Sequence, residues 1–128
     1  GAGSVIVLGG TTSIKPTVAA KIGATKRIDG LDRYEVSAAV AEYGITCGLW
    51  PRRVVVATGG DYPDALAASV LAARLRAATV LVRPTSVPAA VGNHLSAYAH
   101  QRLDVIVTGG TASVSAQTYA NVLELASP

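Results

Sequence analysis

Val5-Ile-Val-Leu-Gly-Gly-Thr-Thr-Ser13 returns one hundred residues later as Val105-Ile-Val-Thr-Gly-Gly-Thr-Ala-Ser113. In both places an unbroken apolar run is stopped by a glycine pair and followed by small hydroxyl residues. A continuous rather than alternating apolar run reads as a parallel strand covered on both faces. The glycines then supply a tight turn into a helix. A third pair, Gly59-Gly60, follows the apolar run Val54 to Ala57, and a further short run spans Val80 to Val82. The self-similarity is the signature of a repeat, in which a structural unit recurs at fixed spacing.

Working outward, the stretches between these runs carry helical spacing: Ile14, Val18 and Ile22; Val36, Val40 and Tyr43; Leu66, Val70 and Ala73; Val87, Val91, Leu95 and Tyr98; Val114, Thr118, Val122 and Leu125. Strand and helix alternate, which predicts βαβ units and a mainly parallel sheet in a three-layer α/β/α sandwich. Polar residues at the predicted helix starts are expected to satisfy free backbone N–H groups: Ser13, Asp32 with Glu35, Asp61 with Asp64, Ser86 and Ser113. Pro16, Pro63 and Pro88 fall in first turns, where a missing N–H costs nothing. The alanines of the helix near Pro63 suit close approach to a sheet.

At 128 residues, half of them apolar, the chain fits one domain with a substantial core. No apolar run approaches the roughly 20 residues of a membrane span. The chain contains no Met and is expected to be the mature or excised part of something longer. Its formal charge of +3 favours a polyanionic partner mildly. No interleaving of aromatic and basic residues supports a nucleic-acid partner. Cys47 stands alone, so no internal disulfide forms, and it is expected to be a buried packing residue.

Three motifs occur in order: Arg27-Ile-Asp-Gly-Leu-Asp-Arg-Tyr34, Ala57-Thr-Gly-Gly-Asp-Tyr-Pro-Asp-Ala-Leu-Ala67, and Val105-Ile-Val-Thr-Gly-Gly-Thr-Ala-Ser-Val-Ser115. Together they resemble the type 2 cell-wall-binding repeat of Gram-positive surface proteins. That resemblance implies a Rossmann-like or Toprim-like α/β/α fold. It also implies a secreted, non-catalytic module, needing no cofactor, that anchors its parent to anionic wall polymers, either teichoic-acid-like or polysaccharide. Other copies of the repeat are implied partners, possible as an oligomer. One departure is local: Ala78-Thr79 precedes Val80 where the family carries a proline. The unit boundaries follow. Residues 27–126 form one full repeat, and residues 1–23 form the tail of a preceding one.

Candidate ligand contacts are the Gly-Gly turns with their hydroxyls Thr11, Ser13, Thr111 and Ser113, together with Lys15, Arg27, Arg33 and Asp61. Turn amides and helix starts favour anions, and guanidinium forks bind phosphate or carboxylate. The competing expectation is architectural: glycines for turns, aspartates for caps, and arginines paired internally. A small metal- or nucleotide-binding enzyme acting on phosphate-containing substrates is the alternative. It requires Asp32, Asp61 and Asp64 to converge and fails if they cap helices separately. Neither G-x-x-x-x-G-K-[ST] nor G-x-G-x-x-G is present. His94 and His100 do not share a helix face and are expected at the surface. Trp50 is expected to plug a loop edge, and Arg52 and Arg53 to lie at the sheet edge opposite the glycine pairs.

Overall fold

The computed structural model describes residues 3–128; the first two residues of the expected preceding-repeat tail lie outside the described residues. Strands β1 (Ile6–Leu8), β2 (Lys26–Ile28), β3 (Arg53–Thr58), β4 (Ala78–Val82) and β5 (Asp104–Val107) alternate with helices α1 (Pro16–Lys21), α2 (Arg33–Thr46), α3 (Tyr62–Leu75), α4 (Ala89–Tyr98) and α5 (Ala116–Leu125). All ladder pairings between these strands are parallel.

β3 is central in the order β4-β3-β5, with Val54 opposite both Ala78 and Val105. Successive strand residues point to opposite faces, and both faces of β3 are covered, which explains its unbroken apolar run. Val54 and Val56 join Val80, Val82, Val91, Leu95 and Val122 beneath α2, α4 and α5. Val55 and Ala57 lie beneath Ala68 and Ala72 of α3. The result is an α/β sandwich with helices on either side. Each fully buried Val or Leu contributes on the order of 2 kcal/mol in apolar burial.

The single expected sheet is two. β1 pairs only with β2, from Ile6 opposite Lys26 to Leu8 opposite Ile28. β2 went unread because Lys26-Arg-Ile28 carries one apolar residue and no alternation. What makes it a strand is its partner: Thr25 N–H donates to Val5 O at 2.8 Å and Gly9 N–H to Ile28 O at 2.8 Å, and Val7 and Ile28 are each buried, on opposite faces of the pair.

Three expected caps are displaced. Gly10 O accepts from both Ser13 N–H (3.1 Å) and Ile14 N–H (3.0 Å), and Gly110 O does the same for Ser113 and Val114. This closed turn delays each helix, so α1 starts at Pro16 with no side-chain cap, and Ser115 rather than Ser113 caps α5. Ser86 is held in an antiparallel bridge to Arg83, and Pro88 precedes α4. Asp32 and Asp61 do cap α2 and α3. On α3 the expected stripe faces outward, with Leu66 and Val70 exposed, because the sheet side takes the alanines.

Candidate functional site

The Gly-Gly turns lie at the carboxyl ends of β1, β3 and β5. At Gly59 glycine is required by proximity: a Cβ there would sit 2.6 Å from Tyr34 Cε1 and 3.3 Å from Arg33 Cδ. At Gly9 the backbone requires it, with φ at +109°, a region side chains disfavour. The first turn faces the start of α2 across an open cleft of about 560 Å³, with α3 and β4 as its far wall. Hydroxyls line much of it: Thr12, Ser13, Ser37, Ser69 and Thr79. Leu8 and Leu31 form its apolar rim and are exposed.

The expected contacts divide into groups. Ser13 and Arg33 meet in this cleft. Arg33 Nη1 donates to Gly59 O at 2.7 Å, tying the α2 start to the β3 turn, although the residue remains exposed. Arg27 is inward and spends both terminal nitrogens on carbonyls, Gly9 O at 2.5 Å and Ile14 O at 2.8 Å. It thereby clamps the first Gly-Gly turn to β2. Lys15 is exposed just before α1, and Thr11 is exposed in the turn. Thr111 and Ser113 belong to the β5 turn, where Asp64 Oδ2 comes within 2.6 Å of where a Gly109 Cβ would be. Neither they nor Asp61 line the cleft.

The aspartates stay apart. Asp32 Oδ1 accepts from Tyr34 and Glu35 N–H, both at 2.9 Å, and its Oδ2 meets Arg83 at 3.5 Å. Asp61 Oδ1 accepts from Tyr62 N–H at 2.9 Å. Among the described residues no three His, Cys, Asp or Glu side chains gather to hold a metal. Asp32 and Asp61 thus cap separate helices, the outcome that counts against the phosphate-enzyme alternative.

Several side chains lie where their sequence context did not suggest. His94 is buried, with Nδ1 2.6 Å from Glu42 Oε1; Tyr98 donates to Glu42 Oε2 at 2.8 Å, and this hydrogen bond holds the Tyr98 phenol above its ordinary range. The partner Glu42 lies on another helix, so no local spacing announced the pair. Cys47, expected to be buried, is exposed at the end of α2. Trp50, expected to plug a loop, is 55% exposed.

Residues 27–119 match the family described as Cell wall binding domain 2 (CWB2). The chain belongs to the CWB2 family. It is a binding module rather than a catalytic domain, and it marks a secreted, wall- or surface-associated protein. Over 81 residues this CWB2 module is 37% identical to N-acetylmuramoyl-L-alanine amidase LytC of Bacillus subtilis (strain 168), covering 63% of the module and 16% of that protein. Its fold matches Cwp8 from Clostridium difficile at TM-score 0.75 and 22% identity, and Cwp6 at 0.76 and 22%. Each match covers 95% of the module and 20% of the longer chain. The module therefore spans about a fifth or less of these proteins' length.

Proposed function

We propose that this module holds its parent on anionic polymers of the wall, teichoic-acid-like or polysaccharide. The observation carrying this reading, beyond family membership, is the open cleft between the first Gly-Gly turn and α2. Its hydroxyls can exchange hydrogen bonds with a polyol chain, and Arg33 stands at its wall. The amides of Thr11 and Thr12 have no acceptor among the described residues, so the turn retains donors for an anion. The net charge of +3 attracts the module as a whole to a polyanion, an attraction that weakens with salt, and is not concentrated at this cleft. Lys15 and Thr11 extend the same turn outward. Thr111 and Ser113 of the β5 turn, with Asp61 of the β3 turn, are the residues proposed as a second contact for an extended polymer.

Retention on purified walls, before and after their anionic polymers are stripped, tests the reading. The expected result is retention on intact walls and its loss on stripped ones. Equal retention on both would overturn it.

Residues 5–22 also support the expectation that they end a preceding repeat. Val122 of α5 is fully buried against the core, whereas its counterpart Ile22, just after α1, is half-exposed, as is Val18 on α1. β5 has β3 beside it, but β1 has only β2. Another copy of the repeat, offering its own β3 and α4, would cover what is bare. In tandem, several such modules would bind a polymer with avidity about 10²-fold or more above one.

A further inference from the structure

The basic excess of this chain is not at the Gly-Gly edge. In a parallel α/β fold the helix ends share one edge with the strand starts. Helix ends bring Lys21, Arg74 and Arg76 there, and strand starts bring Lys26, Arg52, Arg53 and Arg102. Seven of the eleven basic residues thus meet two of the eight acids, Asp104 and Glu124. At the opposite edge Asp29, Asp32, Glu35, Asp61 and Asp64 outnumber the cations Lys15, Arg27, Arg33 and Arg83. An anion approaching this protein is drawn to the strand-start edge.

That edge contains a concavity of about 440 Å³ lined by Trp50, Pro51, Arg52, Arg53, Gln101 and Arg102, with Asp104 as its acidic member. Part of the positive charge serves structure. Arg76 Nη2 donates to Gly48 O at 3.0 Å, and Lys26 sits 4.5 Å over the Tyr43 ring. Arg53 is held by Asp104 at 2.7 Å and lies 5.7 Å from the Trp50 ring centre, which neutralises the carboxylate and steadies the indole. Within the concavity two guanidinium groups remain. Arg52 uses only Nε of its side chain, toward Gln101 O at 3.2 Å, and the Arg102 guanidinium makes no hydrogen bond or ion pair among the described residues. Trp50, in the same concavity, is 55% exposed, and its indole N–H has no acceptor among the described residues. Its backbone is anchored, with N–H donating to Arg76 O at 2.7 Å. A rigid aromatic face flanked by free guanidinium forks matches a sugar ring bearing an acidic group. The ring's apolar face stacks on indole, and the carboxylate or phosphate accepts charge-assisted hydrogen bonds.

We propose that the Trp50–Arg52–Arg102 concavity is a binding subsite for an acidic sugar unit. This rests on the wall-polymer reading, since it names the sugar chemistry of such a polymer, but it places the contact at the edge opposite the Gly-Gly turns.

Trp50 is the chain's single tryptophan, so its emission reports occupancy directly. The 128-residue chain is titrated with tetragalacturonate, with a tetrasaccharide bearing mannose 6-phosphate, and with neutral maltotetraose. The expected result is an emission shift with at least one acidic saccharide and none with maltotetraose; which one responds separates carboxylate from phosphate. Arg52→Gln and Arg102→Asn, both at exposed positions, each weaken the response about tenfold. No shift with either acidic saccharide, an equal shift with maltotetraose, or unaltered binding by both variants overturns the proposal. Wall retention separates it from the reading it rests on. A wild-type chain that fails to bind intact walls refutes wall binding. A wild type and an Arg52→Gln/Arg102→Asn double variant retained equally refute this subsite alone.

Discussion

Truncating Val122 and Val18 to alanine applies one chemical change to equivalent helices in opposite circumstances. Val122 is fully buried on α5, and Val18 is 47% exposed on α1. Removing two methyl groups from a buried valine costs about 1.6 kcal/mol in transfer free energy. The cavity left in a packed core adds roughly 1 kcal/mol, and the better helix propensity of alanine returns about 0.5 kcal/mol. Val122→Ala should therefore destabilise by about 2 kcal/mol. At Val18 only about half of the transfer term applies, no closed cavity forms, and the propensity gain offsets most of the remainder, leaving roughly 0–0.5 kcal/mol. For a domain of this size, 2 kcal/mol corresponds to a fall in melting temperature of about 6–10 °C. Thermal unfolding by circular dichroism and urea titration at fixed pH measure both variants. If Val18→Ala costs as much as Val122→Ala, α1 is covered in solution and the account of a bare preceding-repeat tail is wrong. Fusing a preceding repeat to the chain should raise the cost at Val18 toward that at Val122.

Two smaller perturbations probe local chemistry. Asp32→Ala removes the side chain that accepts from Tyr34 and Glu35 N–H and should cost about 1 kcal/mol, with Asp32→Asn recovering most of it; denaturant midpoints of the three proteins check this. The Tyr98 phenol, raised first by its hydrogen bond to Glu42 and then by burial, is protonated in both folded and unfolded states below about pH 10. Its contribution to stability is complete there and is lost as pH rises through the higher folded value. Ultraviolet difference titration against Tyr98→Phe should show that ionisation returning toward pH 10 in Glu42→Gln; an unmoved titration refutes the role given to Glu42.

The central strand was legible because its covering is two-sided: an unbroken Val54–Ala57 run has few other stable environments. Asp32 and Asp61 were legible as caps because capping is a contact between residues two or three apart, visible in spacing alone. Ser13 and Ser113 were misread because turns closed on Gly10 O and Gly110 O carry the chain past them before each helix begins. Trp50 and Cys47 were expected inside on residue type, yet type says nothing about whether another element arrives to cover them. At the cleft, sequence supplied Ser13 and Arg33; Ser69 and Thr79 joined it only through the packing of α3 and β4.

Sequence by itself determined the turns at the strand ends through the repeat of residues 5–13 at 105–113, the strand and helix order through the apolar runs and helical spacings, and the family through three ordered motifs, since all of these are short-range patterns in one chain. Tertiary structure decided which copy is covered. β5 and α5 have β3 and α4 beside them, whereas β1 and α1 have only β2, and a similar local sequence cannot encode a neighbour. Tertiary structure also sorted the charge. A net +3 is a property of the composition, but parallel topology carries helix ends and strand starts to one edge, and there the arginines collect around Trp50.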